Sequence, residues 1–171
     1  MADKRTTRIG GADVALIGEE IRVGQAAPEF SATANDWSRV QPLAGSKGLV
    51  RVLAAVPSLE TSVCDRETRR FNVEAANPSS DVRILAISTD LPFTQKRWCA
   101  AAGVDGVTTL SDHMQTDFGL KYGCLIKERR ILRRAVFVVD RDGRVVYAAY
   151  MPALGEEPKY DEVLATVRQA L

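Results

Sequence analysis

Three cysteines, Cys64, Cys99 and Cys124, carry most of the reactive chemistry this sequence offers, and their settings differ. Cys64 follows Pro57-Ser58-Leu59-Glu60-Thr61-Ser62-Val63, where an apolar run ends at a proline and Thr61 or Ser62 can cap a helix. Either cap puts Cys64 in the first helical turn. There, free backbone N–H groups and the positive end of the helix dipole favour a thiolate, the form of cysteine that acts as a nucleophile. Neighbouring charge does not help: Asp65 is adjacent and Glu67 lies on the same helical face at i+3, so a cation must come from elsewhere in the chain. Arg133 and Arg134, which lead into an apolar run, are the candidates. Three cysteines at wide spacings do not make a disulfide framework, and one histidine without a C-x-x-C pair does not assemble a zinc site.

The elements that must hold these residues follow from periodicity. Leu49 to Val56 and Val82 to Ser88 read as buried strands, and the segment between them has helical length, with Phe71, Val73 and Ala76 as apolar positions. This is a βαβ unit. Asp90-Leu91-Pro92 supplies a helix cap and a proline for the first turn, and Gly103 stops that helix, so Cys99 sits late in it. Val107 to Leu110 is a short strand. Ala135 to Val139 and Val145 to Tyr150 flank Asp140-Arg141-Asp142-Gly143 and pair as an antiparallel hairpin. Val163, Leu164, Val167 and Leu171 mark a closing amphipathic helix. Nearer the start, Val14, Leu16, Ile21 and Val23, punctuated by Gly10-Gly11 and Gly18, suggest a short hairpin. Together these give an α/β chain of thioredoxin-like order: a central mixed sheet flanked by helices, with an N-terminal β-hairpin extension in residues 1–45. Residues 1–171 read as one domain, with residues 1–7 as a flexible arm.

Composition bounds the function. The chain has 171 residues, 46% of them hydrophobic and 26% charged, with 23 Lys and Arg against 22 Asp and Glu. That balance gives no basic surplus for nucleic acid. The first residues lack the apolar core of a secretory signal, and no run of about 18 apolar residues occurs, so the reading is a cytoplasmic protein with no membrane partner.

The spacing P-x-x-x-T-x-x-C, here Pro57, Thr61 and Cys64, resembles the active-site signature of peroxiredoxins. Val56 to Cys64, Ile87-Ser88-Thr89-Asp90-Leu91-Pro92-Phe93 and Arg97-Trp98-Cys99 are similar to the bacterial thiol peroxidase subfamily of the atypical two-cysteine type, over nearly the whole chain. The resemblance implies Cys64 as the peroxide-attacking thiol, Cys99 as the resolving thiol of the same chain, and Arg134 as the arginine that, with Thr61, orients peroxide and stabilises the thiolate. Pro57 would shield the sulfur. It also implies hydrogen peroxide or organic hydroperoxides as substrates, recycling by a thioredoxin-type reductant, a homodimer and no bound cofactor. The alternatives are a redox relay that passes oxidation to a partner protein, and a peroxiredoxin resolved by an external thiol.

Other residues have plainer readings. Cys124 is a small buried hydrophobe, His113 a surface or helix-start residue, and Arg66, Arg69 and Arg70 a solvated helix face. Trp37 and Trp98 are too isolated to suggest a cofactor. Because Cys64 opens one helix and Cys99 lies late in the next, their Cα atoms are expected to be farther apart than the roughly 7 Å that a disulfide tolerates, so joining them requires local unwinding.

Overall fold

A computed structural model describes residues 5–75 and 81–171, with only the backbone described at Glu74 and Ala75. The βαβ unit is β5 (Val50–Ala55), α1 (Ser62–Ala75) and β6 (Val82–Ser88), joined through α2 (Pro92–Ala102) to β7 (Val107–Ser111). β5, β6 and β7 are parallel neighbours. The hairpin β10 (Ala135–Val139) and β11 (Val145–Tyr150) adds antiparallel to β5, and β3 (Ala32–Thr33) with β4 (Arg39–Val40) extends the sheet beyond β7. The resulting order is β11-β10-β5-β6-β7-β3-β4. Ala76, assigned above to the apolar positions of the first helix, lies outside the described residues.

Strand alternation divides the interior between the two faces of this sheet. Val50, Val52, Ala54 and Val56 of the β5 segment point to a core shared with Phe71 of α1, Trp98 of α2, and Val163 and Val167 of α4 (Tyr160–Ala170). Leu53 and Ala55 point to the other core, where Phe30, Phe118, Tyr122 and Phe137 pack with ring centroids 4.4 to 6.3 Å apart. This second core is covered by residues 27–44 and by the short α3 (Asp117–Lys121), which the sequence pattern does not reveal. Its five residues are too few to show a period. They are held by Asp112, which accepts hydrogen bonds from the Phe118 and Gly119 N–H groups and whose carboxyl burial pushes up to about 6.

The N-terminal hairpin is displaced from its expected position. It pairs β1 (Thr6–Ile9) with β2 (Ala12–Ile17) across Gly10-Gly11, both at positive φ, the conformation that a two-residue hairpin turn requires. Thr6 and Thr7 therefore belong to a strand and not to a flexible arm. Ile21 is buried outside any strand, and Val23 is 62% exposed, so neither alternates as expected. β2 pairs with β8 (Leu125–Ile126), which pairs with β9 (Ile131–Leu132), forming a second, four-stranded sheet. Gly103 closes α2 at φ 64°, as expected, but its N-cap is Leu91 without a side-chain bond. Asp90 does not cap, because its carboxylate is used elsewhere. Leu171, expected on the buried face of the last helix, is 47% exposed at its end.

Gly18 shows how tightly the hairpin sheet is seated. Its φ is +89°, and a Cβ there would lie 2.1 Å from the Leu120 carbonyl oxygen. Gly24, at φ +95°, has open space around it. Gly24→Ala should cost only the backbone term of about 1 kcal/mol, whereas Gly18→Ala must also separate two backbone segments and should cost more than about 2 kcal/mol. Urea unfolding of the two variants measures this, and equal losses would show that the contact yields.

Candidate active site

Cys64 is the third residue of α1 and is fully buried. The Thr61 Oγ1 hydroxyl lies 2.8 Å from Cys64 Sγ and accepts the Cys64 N–H at 3.4 Å. Thr61 thus caps the helix and touches the sulfur with one oxygen, so Ser62 need not replace it as the cap. Its single proton has two acceptors, the Ser58 carbonyl at 3.2 Å and Sγ, and a thiolate is the stronger draw. Thr61 is itself exposed, so the sulfur lies one side chain below the surface.

The missing cation is Arg134. Its Nη2 donates to Cys64 Sγ at 3.2 Å and to the Leu154 carbonyl at 2.9 Å, its Nε reaches the same carbonyl at 3.2 Å, and its Nη1 pairs with Glu67 Oε2. Burial works against the charge of this 1% exposed guanidinium, but Glu67 and Cys64 outweigh it and hold Arg134 above its ordinary value. Sheet topology explains the reach. β10 runs antiparallel to β5 with Ala135 opposite Ala55, so the residue entering β10 stands where β5 gives way to the Cys64 loop. Parity chooses between the two arginines. Arg134 shares the face of Val136 and Val138, on the α1 side, whereas Arg133 points to the other face, donates to the Met151 carbonyl, pairs with Glu20 and lies over the Tyr150 ring.

Glu67 is the residue that charge counting misjudged. It is fully buried and opposes Arg134, and burial pushes its carboxyl up to about 7 against the pull of that arginine. A signal existed: Cys64, Glu67 and Phe71 occupy one helical stripe, and an acid on a stripe that ends in a core phenylalanine calls for a buried cation. Asp90 likewise serves the site and not the helix that it precedes. Its carboxylate accepts Ser58 Oγ at 2.7 Å, the Leu59 N–H at 2.8 Å and Ser88 Oγ at 2.8 Å, fastening the Pro57 to Thr61 loop to the end of β6. Pro57 is buried at the start of that loop.

Cys99 is not at this site. It is partly buried on α2, with Sγ 3.4 Å from Thr109 Oγ1 of β7, while Cys64 Sγ meets Thr61 and Arg134. All three cysteines are free thiols. Cys124 is buried against the Tyr122 carbonyl, and burial pushes its thiol far up, the opposite of a reactive setting. His113 is half-buried beside Ser111 Oγ, away from the sulfur. Arg66 and Arg69 are exposed, with Glu157 and Asp65 as their partners.

Residues 22–164 match the Redoxin family. The chain is 52% identical to the thiol peroxidase of Oceanobacillus iheyensis, covering 89% of this chain and 92% of that one, and 46% identical to the thiol peroxidase of Bacillus subtilis, covering 92% and 93%. A crystal structure of a peroxiredoxin-like protein from Aquifex aeolicus superposes with a TM-score of 0.88 at 39% identity over 98% of both chains. The thiol peroxidase of Chromobacterium violaceum, 17% identical with a TM-score of 0.84 over 96% of this chain and 95% of that one, shares the fold. Likeness this extensive in sequence goes beyond a shared fold, and the chain belongs to the Redoxin family, with thiol peroxidases as its relatives.

Proposed function

We propose that the chain is a thiol-dependent peroxidase that reduces hydrogen peroxide and organic hydroperoxides through Cys64 and Cys99 and is recycled by a thioredoxin-type reductant. The observation that carries this reading is the convergence of the Thr61 hydroxyl and the Arg134 guanidinium on one buried sulfur. Both are donors, and a thiolate is what two donors on a sulfur stabilise. The Cys64 thiolate attacks one oxygen of the peroxide, the O–O bond breaks, and the departing hydroxide or alkoxide takes a proton to leave as water or alcohol. Cys64 is left as a sulfenic acid. The same donors stabilise charge on the departing oxygen, and the buried Pro57 ring shields the sulfur from bulk water.

In the second step Cys99 attacks the sulfenic sulfur, a disulfide forms and water leaves. Exchange with a dithiol protein then restores both thiols. Because Cys99 Sγ rests on Thr109 and not on Cys64, this step needs the end of α2 to open. The function assigned is antioxidant defence in the cytoplasm, by a single-domain chain working as a homodimer. Among the described residues no helix is long and apolar enough to cross a membrane.

One equivalent of peroxide should lower the free thiols from three to one and give a peptide cross-linked between Cys64 and Cys99 within one chain; retention of all three thiols would sink the proposal. Cys64→Ser should abolish NADPH consumption in an assay coupled to thioredoxin and its reductase. Cys99→Ser should keep the first oxidation but let Cys64 climb to the sulfinic acid. A Cys99→Ser enzyme that cycled normally would point to an external resolving thiol, and a wild-type enzyme that stalled after one turnover would point to a relay.

Arg134→Met should slow Cys64 oxidation about a hundredfold, the scale of losing one donor aimed at developing charge. Arg133→Met should leave it nearly unchanged. Stopped-flow measurement of both rates decides, and the reverse order would move the role to Arg133.

Glu67 links the site to pH. Its folded value of about 7 stands above its ordinary 4.5, so between these limits the folded state holds more protons than the unfolded one. Its contribution to stability is therefore greatest below the lower value and falls as pH rises through the upper one. Glu67→Gln cannot titrate and should flatten that part of the urea-midpoint profile. An unchanged slope in the variant would show that Glu67 does not titrate there.

A further inference from the structure

Cys99 can reach Cys64 only if the last turn of α2 lets go, and that turn is tied to the first turns of α1 by contacts that the peroxidase chemistry does not use. Asp65, the residue after Cys64, turns away from the sulfur. Its Oδ1 accepts the Trp98 indole N–H at 3.1 Å, and its Oδ2 pairs with Arg69 Nε at 2.9 Å, one helical turn on. The same Arg69 sends Nη1 to the Ala102 carbonyl at 3.0 Å and lies over the Trp98 ring, 5.8 Å from its centroid. Ala102 is the last residue of α2, so its carbonyl is one that the helix leaves unpaired. Trp98, 7% exposed, is the residue immediately before Cys99. The contacts cross a cleft of about 360 Å³ between the two helices, whose rim includes Thr61, Ser62 and Ala101.

We propose that Asp65 and Arg69 are positioning residues for the resolving step: they clamp the end of α2 to α1 and so set how long the Cys64 sulfenic acid waits before Cys99 reaches it. The inference rests on the reading of Cys99 as the resolving thiol. The last turn of α2 is finished by the Gly103 and Val104 N–H groups, both donating to the Cys99 carbonyl. Unwinding that turn therefore frees the backbone of Cys99 itself. To unwind, it must release the Ala102 carbonyl from Arg69 and the Trp98 ring from its seat between Arg69 and Asp65. Each contact held in the closed state and lost in the open one lowers the open population and slows resolution.

The waiting time has a chemical consequence. A sulfenic acid that meets Cys99 loses water and becomes a disulfide; one that meets a second peroxide first gains an oxygen, releases water or alcohol, and becomes a sulfinic acid outside the cycle. The clamp thus sets the peroxide concentration at which the enzyme inactivates itself. Asp65 acts on both arms of the clamp, and the two arms can be separated chemically. Asp65→Asn keeps an oxygen for the Trp98 N–H but removes the charge that holds Arg69, Arg69→Ala removes the arm to Ala102, and Asp65→Ala removes the Trp98 hydrogen bond together with the charge that holds Arg69.

The test is a single-turnover experiment. Sulfenic acid formation and disulfide formation are followed separately by rapid quench and mass spectrometry, and hydrogen exchange is read on the amides of residues 99–104 in the reduced protein. Asp65→Ala should raise the ratio of the resolution rate to the first-oxidation rate roughly fivefold, the scale of losing a half-exposed ion pair with a hydrogen bond. Asp65→Asn and Arg69→Ala should fall between it and the wild type. Exchange at residues 99–104 should quicken in the same order, and the peroxide concentration giving half sulfinic acid should rise. A wild-type enzyme that forms the Cys64–Cys99 disulfide, with variants whose ratio is unchanged or lower, would overturn the clamp and leave the two-cysteine reading standing. A wild-type enzyme that forms no such disulfide would overturn both. A general loosening is told apart by exchange in β5 and β6: quickening there as much as at residues 99–104 would reject a local clamp.

Discussion

The buried contact of Arg134 with Cys64 is the interaction around which the site is organised. A guanidinium at 1% exposure is costly to bury unless its donors are occupied, and here they go to the Cys64 sulfur, the Glu67 carboxylate and the Leu154 carbonyl. That set of partners draws on three separate stretches of chain. α1 supplies the sulfur and the carboxylate, the entrance to β10 supplies the arginine, and the loop between β11 and α4 supplies the carbonyl. None of them can shift without leaving a buried polar group unpaired. The cost of the buried charge thereby becomes a constraint on geometry, and the geometry holds donors on the sulfur before any peroxide arrives.

The loop carrying Thr61 meets a second, similar constraint. Asp90 could have capped α2; instead it spends both oxygens on Ser58, Leu59 and Ser88. α2 starts without a side-chain cap, with Pro92 in its first turn and an extended Leu91 in place of one. A carboxylate that satisfies the N–H of a catalytic loop is worth more to the site than one that ends a neighbouring helix, since each choice is worth only about 1 kcal/mol to the fold. The two ends of α2 therefore serve different purposes. Its start releases Asp90 to fix the Cys64 pocket, and its end carries Cys99, whose proposed resolving role requires that part of the helix to open.

Rigidity and opening are thus divided between neighbouring elements. β5 and β10, paired and buried on both faces, and β6, buried from Ile84 onward, hold the sulfur and its arginine. The end of α2 rests on side-chain contacts at partly exposed positions, which are weaker than backbone ladders and are lost in small steps. In the proposed cycle, a less firmly held segment beside a rigid pocket serves both steps: the pocket protects the first thiol, and the segment delivers the second.

The sequence alone determined the local features. Proline, threonine and cysteine spacing placed Cys64 in a helix's first turn, because capping and dipole effects act over a few residues. Short apolar runs bounded by turn residues located β5, β6, β10 and β11, because strands of a sheet covered on both faces are apolar at successive positions. It also narrowed the cation to Arg133 or Arg134 and marked Glu67 on the helical face of Cys64. Only the tertiary structure decided between the arginines. Their faces are opposite by parity, but which face carries α1 follows from β10 joining the sheet antiparallel beside β5, a long-range pairing that no local pattern encodes. The same holds for Glu67, a repulsive neighbour of the thiolate by charge and a partner of Arg134 in space, and for Asp90, a cap by sequence and a loop anchor in the fold. In each case a polar group had two chemically acceptable partners. The choice fell to the one brought close by chain segments far apart in sequence, because a buried polar group binds whatever the packed core puts within its reach.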